Sequence, residues 1–423
     1  MDNVTIVFLL VYLLTLLLSA TETVPLSVAA LLGALLTAWF GLQYHVFTYD
    51  DALKFIDIRL LGLVIGTMVV VEVARKSGLF RFGALYAIKL AGGNPKRLFV
   101  AICLASASIS MFLSDSTAML LMAAAVATIA KLLNYDPVPY LLSATIMINL
   151  GGTSTLIGSV SNMIIGIEAG MNFTEFISYL ALCEVMLWVL TIYVLYKLFQ
   201  KRLGEKKELP EYNPWETIED KNLFWKSVLI LVLLILLFLA LENLGVGPEA
   251  VALGCAIIAL VMSGFDPAEI FREIDWETVF FIAGFLFVVG GLEKTEFLSM
   301  ISTGLVNFAG NNVWLVTILT LWISGLMSMI VSNIAVALTF VPIIGGASAL
   351  NTPAVWSALV LGTNLGGATT PLSGAVCIMA VGALKREGIS VSFAEFTKVG
   401  LITSAIQLLF STIYLIARFG LVV

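Results

Sequence analysis

Apolar runs of roughly twenty residues, the length that crosses a bilayer, alternate along this chain with short polar interruptions. Two runs open it, at 4–20 and 24–41, and two more open its second half, at 223–241 and 248–263. A third follows in each half, at 58–74 and 276–291. Next come mixed stretches, 79–90 and 298–309, whose length and character predict a helix lying on the membrane surface. Two apolar stretches then meet at a polar point, Ser114-Asp115 in one half and Ser332-Asn333 in the other. After it an apolar stretch is interrupted by NLGGTSTLIG (149–158) or NLGGATTPLS (364–373), and a last run closes the unit at 174–197 or 395–417.

The halves are therefore copies of one unit, and residue identities agree. Ile56-Asp57 returns as Ile274-Asp275 and Ser110-Met111 as Ser328-Met329, both 218 residues on. Asn149-Leu-Gly-Gly returns 215 residues on at Asn364, and Phe173-Thr-Glu-Phe returns 220 residues on as Phe393-Ala-Glu-Phe. The expected organisation is a first repeat over 1–200, a charged cytoplasmic linker over 201–221 and a second repeat over 222–423.

Composition agrees with lipid as solvent: 60% of the residues are hydrophobic and 12% charged, against about 25% charged in soluble domains. The first run lacks a basic leading segment, which predicts a retained helix rather than a cleaved signal. The four cysteines lie in apolar segments without paired spacing, so neither a disulfide framework nor a zinc site is expected. The single histidine, His45, falls in a loop and reads as solvated.

The paired stretches read either as two ordinary spans or as one re-entrant hairpin. The hairpin gives five spans per half, an odd number, and hence inverted repeats. Only Lys54, Arg59, Lys294 and Arg418 then lie on the face of the termini, leaving eighteen of the twenty-two basic residues opposite. Basic residues mark the cytoplasmic side, so both termini are expected outside. The charge count does not by itself exclude full spans. The short polar tips and stretches as short as 100–113 favour the hairpin. The predicted fold is an all-α polytopic membrane protein of two inverted repeats. Each has about five transmembrane helices, a re-entrant hairpin and a discontinuous helix.

Backbone freed from a helix survives in a membrane only when it is buried in protein or lines a wet cavity. Gly151-Gly152 and Gly366-Gly367 permit such breaks, and Pro371 enforces one. Thr153, Ser154, Thr155, Thr369 and Thr370 supply hydroxyls; Asn149, Asn162, Asn333 and Asn364 supply amides. Half-helix N-termini suit an anion and unwound carbonyls suit Na⁺. One NLGG alone reads as a close-packing contact; the repeated pair, each downstream of a polar tip, points to a binding site. The candidate set also takes in Ser114, Asp115, Ser116, Thr117 and Ser332, with a Na⁺ near Ser114, Asp115, Asn149 and Gly152. Asp115 is a carboxylate deep in an apolar stretch, a functional candidate that would also cap the helix after the tip. Glu184 lies inside a span, with an apolar stretch expected opposite it in the second repeat, and reads as functional or as a structural hydrogen-bonder. Glu72 reads as an interfacial ion pair with Arg75 or Lys76, and Asp57 and Asp275 as helix caps.

The stretches SMFLSDSTAMLL (110–121), NLGGTSTLIGSVSN (149–162), IDWETVFFIAGFLF (274–287), SMIVSNIAVALTFVPII (328–344) and NLGGATTPLSGAVC (364–377) resemble the ion transporter superfamily. The resemblance covers nearly the whole chain. It is to the branch of arsenite permeases, NhaD-type sodium/proton antiporters and the P protein, with dicarboxylate and citrate transporters more distant. It implies a moving transport domain and a substrate site built from hairpin tips and helix breaks. Antiporter members of that branch tend to carry Asp-Asn at both tips and carboxylate transporters Ser-Asn-Thr; here the tips differ from both and from each other. The second break usually ends in Asn, where this chain has Cys377.

These features predict a secondary active transporter of a small anion or oxyanion, arsenite-like or carboxylate, coupled to Na⁺ or H⁺. The alternative is a Na⁺/H⁺ antiporter working through Asp115. A passive channel calls for a continuous polar path, whereas these groups cluster at one depth. No nucleophile–base pair, metal cluster or phosphate loop suggests an enzyme. The expected surroundings are the bilayer of the cell membrane and a small substrate, with no cofactor beyond the coupling ion and no nucleic acid. A homodimer is expected by resemblance. Cys377 reads as packing or, if accessible, as a thiol near the substrate.

Overall fold

The computed structural model describes residues 2–21, 23–207, 213–309, 312–371, 373–386, 389 and 391–420, and all regular elements among them are helical. The first repeat runs α1 (Asn3–Thr21), α2 (Leu26–Gln43), the short α3 (Tyr49–Leu53), α4 (Ile58–Lys76), α5 (Leu79–Ala91), α6 (Pro95–Ser110), α7 (Asp115–Leu133), α8 (Pro137–Gly152), α9 (Val160–Glu168) and α10 (Phe173–Phe199). The second runs α11 (Lys221–Leu241), α12 (Pro248–Ser263), α13 (Pro267–Glu273), α14 (Trp276–Glu293), α15 (Phe297–Ala309), α16 (Val313–Ser328), α17 (Asn333–Gly345), α18 (Pro353–Leu365), α19 (Ala375–Arg386) and α20 (Phe393–Gly420). Of these, α3 and α13 go beyond the sequence reading. Their starts carry the reason: a Thr48/Asp51 capping box and an Asp266 cap before Pro267.

Equivalent helices begin with equivalent chemistry. Asn94 accepts from the Lys96 and Arg97 amides at the start of α6, and Asn312 does the same for Trp314 and Leu315 at α16. Caps followed by proline start α8 (Asp136-Pro137) and α18 (Thr352-Pro353). A side-chain cap satisfies amides that have no intrahelical partner, and proline at the first position gives up an amide that would have none.

The inversion is visible in helix pairing. The second helix of the first repeat, α2, lies parallel to the third main helix of the second, α14. Leu26 N donates to Glu277 Oε1 (2.9 Å) at their shared N-terminal end, and Gly291 seats against Thr37 near the other. The pair α4/α12 repeats this, with Gly66 against the Ala252 backbone and Lys76 over the Phe265 ring. Second and third helices within one unit are antiparallel, so parallel pairing across units requires opposite orientations. Glycine at these contacts lets backbones approach closely. Leu10, Leu17, Leu35, Trp39, Val189, Leu236 and Val261 stay exposed on the outer faces, as a lipid-facing surface demands.

Helix α7 is apolar and long enough to cross a bilayer alone, about 28 Å by helix rise. It nevertheless starts at the half-buried Ser114 tip and ends on the linker face, where Lys207 Nζ donates to Leu133 O (2.6 Å). It is thus an arm of the hairpin α6–α7. On the same face Arg202 bridges Asp136 at the start of α8 (2.7 Å) and Glu395 near the start of α20 (2.5 Å), tying the two repeats together.

Candidate functional site

Each hairpin leans on the broken helix of its own repeat. Gly151 presses against the backbone of Ala107 in α6, and Gly366 against that of Gly325 in α16; a Cβ at either would collide with main chain. The breaks then grip the tips. Thr155 Oγ1 donates to Met111 O (2.8 Å), and its counterpart Thr370 Oγ1 donates to Met329 O (3.3 Å). The tips are carried to a common point, where they face a cavity of about 190 Å³. Its floor includes Ser114, Asp115, Ser116 and Thr117 from the first tip and Ser332 and Asn333 from the second. Asn149, Ser159, Gly367 and Ser373 come from the breaks.

Amides stitch the breaks to one another. Asn149 Nδ2 donates to Asn364 O, and Asn364 Nδ2 to Asn162 Oδ1 (2.8 Å). Ser161 Oγ donates to Asn364 Oδ1 (3.3 Å), while Asn162 Nδ2 reaches Gly152 O (3.0 Å) and Thr155 O (2.8 Å). Asn162 and Asn364 are therefore buried braces behind the cavity, and neither lines it. Thr153, Ser154, Thr155, Gly151, Gly152, Gly366, Thr369 and Thr370 also stand behind it. Thr153 Oγ1 returns to Asn149 O (3.3 Å), Ser154 Oγ accepts from Trp188 Nε1 (3.2 Å), and Thr369 Oγ1 meets Ser404 Oγ (2.8 Å). Gly152 still borders the site, since a Cβ there would sit 3.3 Å from Asp115 Oδ1.

The two tips differ in their bonding. Ser332 caps α17 by accepting from Ala335 N (3.4 Å). Asp115 does not cap α7, as the sequence had suggested: Ser114 holds the N-cap position without a side-chain cap bond, and Asp115 is the first helical residue. Its Oδ1 instead accepts from Ser110 Oγ (3.4 Å), and Ser114 Oγ donates to Thr117 Oγ1 (3.0 Å). A carboxylate at the positive end of α7 is favourably placed. Cys377, the counterpart of Asn162, is fully buried with Sγ 3.7 Å from Gly367 O, so it fills the brace position and offers no accessible thiol.

The walls come from outside the hairpins. Thr67, Met68 and Glu72 of α4, with Glu273, Asp275 and Thr278 around the start of α14, carry the cavity toward the linker face. Glu72 pairs with Arg75 (2.6 Å), as expected, and Arg75 also reaches Glu273 (3.2 Å). Asp275 caps α14 through Thr278 N (3.1 Å). Asp57, its counterpart on the opposite face, accepts from Arg59 N (2.8 Å). Burial pushes the Asp57 carboxyl up, but the Arg59 hydrogen bonds and charge outweigh it and hold it below the usual carboxylate range. Glu72 and Asp275 were legible in the sequence only as a pair and a cap; their place in the wall follows from how α4 and α14 pack. Thr67, Ser159, Thr278 and Ser373 carried no one-dimensional signal beyond being polar.

The groups lining the cavity include the Asp115 carboxylate at the first tip, the wall carboxylates of Glu72, Glu273 and Asp275, hydroxyls and the amides of Asn149 and Asn333, an oxygen-rich set that suits an alkali cation. Among the described residues no group of three or more His, Cys, Asp or Glu could hold a metal ion. Among the described residues the cavity lining contains no Lys, Arg or His.

Inverted repeats whose hairpins and broken helices meet in one cavity define a membrane transporter, and comparison with known proteins narrows the class. The profile of the CitMHS citrate transporter family matches residues 16–361, and the chain belongs to that family. An uncharacterized transporter of Mycobacterium tuberculosis is 31% identical over 374 residues, covering 86% of this chain and 87% of its own. The arsenical pump membrane protein of Escherichia coli is 25% identical over 356 residues, covering 81% of this chain and 82% of its own. The crystal structure of the Alcanivorax borkumensis YdaH transporter superposes with a TM-score of 0.67 at 15% identity over 99% of each chain, a likeness of fold. The chain is thus a membrane transporter of the citrate and arsenical permease type.

Proposed function

We propose that the protein is a secondary active transporter that moves a small anion or oxyanion, carboxylate or arsenite-like, by alternating access, driven by Na⁺ or H⁺ bound at Asp115. The observation that supports this best is the convergence of both tips and both breaks on one cavity, to which the first tip brings the carboxylate of Asp115. The cation would lie near Ser114, Asp115, Asn149 and Gly152. The anion would be held by hydroxyls, the N-terminal amides of α7 and α17, and the cation itself, since no basic side chain among the described residues lines the cavity. The hairpins and broken helices form the transport domain in this reading, and α1, α2, α4, α11, α12 and α14 the scaffold. The cavity runs toward the linker face, where basic residues concentrate; a cytoplasmic position for that face, as such residues favour, would make this an inward-facing state with both termini outside. The repeats divide at the 201–221 linker. Assembly as a homodimer belongs to the same proposal, and cross-linking in membranes tests it.

One observation favours the second reading, a Na⁺/H⁺ antiporter using Asp115. Among the described residues four acidic ones line the cavity (Glu72, Asp115, Glu273 and Asp275) and no basic ones, a field that attracts cations and opposes multiply charged anions. Proteoliposomes separate the two. Under the leading reading, an imposed Na⁺ or H⁺ gradient drives uptake of radiolabelled citrate or arsenite. Sodium-driven pH change with no anion present, and no anion uptake under either gradient, would replace it with the antiporter.

A further inference from the structure

A second intramembrane carboxylate stands outside the cavity. Glu184 lies in α10, only 2% exposed, and neither of its carboxylate oxygens has a hydrogen-bond partner among the described residues. The group that faces it is the hydroxyl of Ser154 in the first break. Pseudo-symmetry shows what normally stands there. The offset that aligns Phe173 with Phe393 places Glu184 opposite Ser404, so the second repeat is polar at this point, not apolar as the sequence reading held. In the second repeat Ser404 Oγ pairs with Thr369 Oγ1 at 2.8 Å, and Thr369 is the counterpart of Ser154. One repeat thus closes its break against the last helix with a finished hydroxyl pair. The other puts an ionisable group in the same place and leaves it unfinished.

We propose that Glu184 is a proton-binding site, separate from the cavity carboxylate, that is loaded and emptied as the first break shifts against α10. With the proton bound, the carboxyl O–H donates to Ser154 Oγ, which also accepts from Trp188 Nε1 (3.2 Å). When the proton leaves to water, the carboxylate accepts the Ser154 hydroxyl hydrogen instead, and Ser154 can no longer hold the same orientation. The adjacent Thr155 grips the first tip through Met111 O (2.8 Å), so a change at Ser154 is felt one residue from the contact that positions Ser114 and Asp115. A buried charge without a partner is costly and a neutral acid much less so, which makes proton occupancy the variable that this pocket reads.

Among the described residues no fixed charge competes. On α10 the neighbouring titratable group is Cys183. On α20 it is Tyr414, whose hydroxyl donates to Tyr179 O (2.7 Å). α8 offers Tyr140, tied to Leu203 O (3.1 Å), and α18 has none. The charged residues of α6, α11 and α20 lie toward the helix ends, the innermost being Arg97, Lys226, Lys398 and Arg418.

The inference rests on the transporter reading for its coupling role but not for proton binding itself, and the tests separate the two. Infrared difference spectra of the protein in proteoliposomes, taken between acid and alkaline pH, should contain a buried carboxyl C=O band that disappears in Glu184→Gln and persists in Asp115→Asn. A spectrum unchanged by Glu184→Gln overturns the proton site whatever the protein transports. In flux assays Glu184→Gln should flatten the pH profile of uptake at least threefold between its extremes while leaving some transport. An unaltered profile overturns the coupling. Glu184→Ser, which copies the second repeat, is the variant to use if the amide folds poorly: it should restore a hydroxyl pair and give the same flattened profile. A Glu184→Ser protein that keeps the wild-type profile has the same overturning force.

Discussion

The two half-sites share a backbone and differ in chemistry. In both, a glycine seats the hairpin, a threonine grips the tip carbonyl, and the tip lies at the cavity. In the first, the tip ends in Asp115, the brace is Asn162, and a carboxylate stands behind the break. In the second these positions hold Asn333, Cys377 and Ser404. Duplication supplied the geometry, and divergence left an acidic group at the tip and behind the break in the first half alone. Under the proposed function this difference would be a division of labour: the first half-site would answer a cation or a proton, and the second would hold its shape.

Making the halves alike is the most direct way to break this comparison. Asp115→Asn gives both tips an amide, and cation-coupled uptake in proteoliposomes should fall by at least two orders of magnitude, about 2.7 kcal/mol at the tenfold rate of 1.36 kcal/mol. Asn333→Asp, the reverse change, should add cation affinity rather than abolish transport. Retention of sodium- or proton-coupled uptake by Asp115→Asn would remove the asymmetry from the mechanism. The glycine contacts test what the halves share. Gly151→Val and Gly366→Val each force a side chain into main chain, and overpacking of this kind costs about 1–3 kcal/mol or more. Melting temperatures in detergent should fall in both by similar amounts.

The braces test the middle ground. Asn364→Ala strands Asn162 Oδ1 and Ser161 Oγ, the partners of its side chain, and orphaned buried polar groups cost about 1–3 kcal/mol each; thermal melting should show it. Cys377→Asn copies the first brace into the second break and should cost under about 1 kcal/mol if the amide finds Gly367 O, with transport kept. The smallest effect belongs to the caps. Asp57→Asn removes the partner of the exposed Arg59 and should cost about 0.5 kcal/mol at neutral pH, screened further by salt. Because the folded-state Asp57 carboxyl is held below its usual range, its contribution is present above that range and is lost as pH falls through the folded value. The difference between variant and parent should therefore vanish in acid.

Much of this fold was legible in one dimension because membrane burial writes itself in runs, and duplication writes each feature twice. The NLGG pair, the Ser114 and Ser332 tips and the mixed segments before the hairpins all appear as helical ends or helices where the repeat placed them. The short α3 and α13 were not foreseen, because their signal is a local cap and not an apolar run. The site was legible in part. Residues at the tips line the cavity, whereas Asn162, Asn364, Ser154 and Thr369 proved to brace it, since a polar residue at a break can face either way. Asp115 had been expected to cap its helix, and only the turn geometry assigns that position to Ser114. The wall formed by Thr67, Asp275 and Thr278 depends on which helices cross beside the tips, and that lies in the third dimension alone.

The parallel pairing of α2 with α14 and of α4 with α12 bears on how the protein is made. When the first repeat has been synthesised, α2 and α4 display close-packing faces whose partners lie more than a hundred residues downstream. The early half must therefore wait in the bilayer, inserted but unassembled, until α12 and α14 arrive. Assembly is a late event in which each copy completes the other, so neither half expressed alone should reach a native core, and the two co-expressed as fragments should.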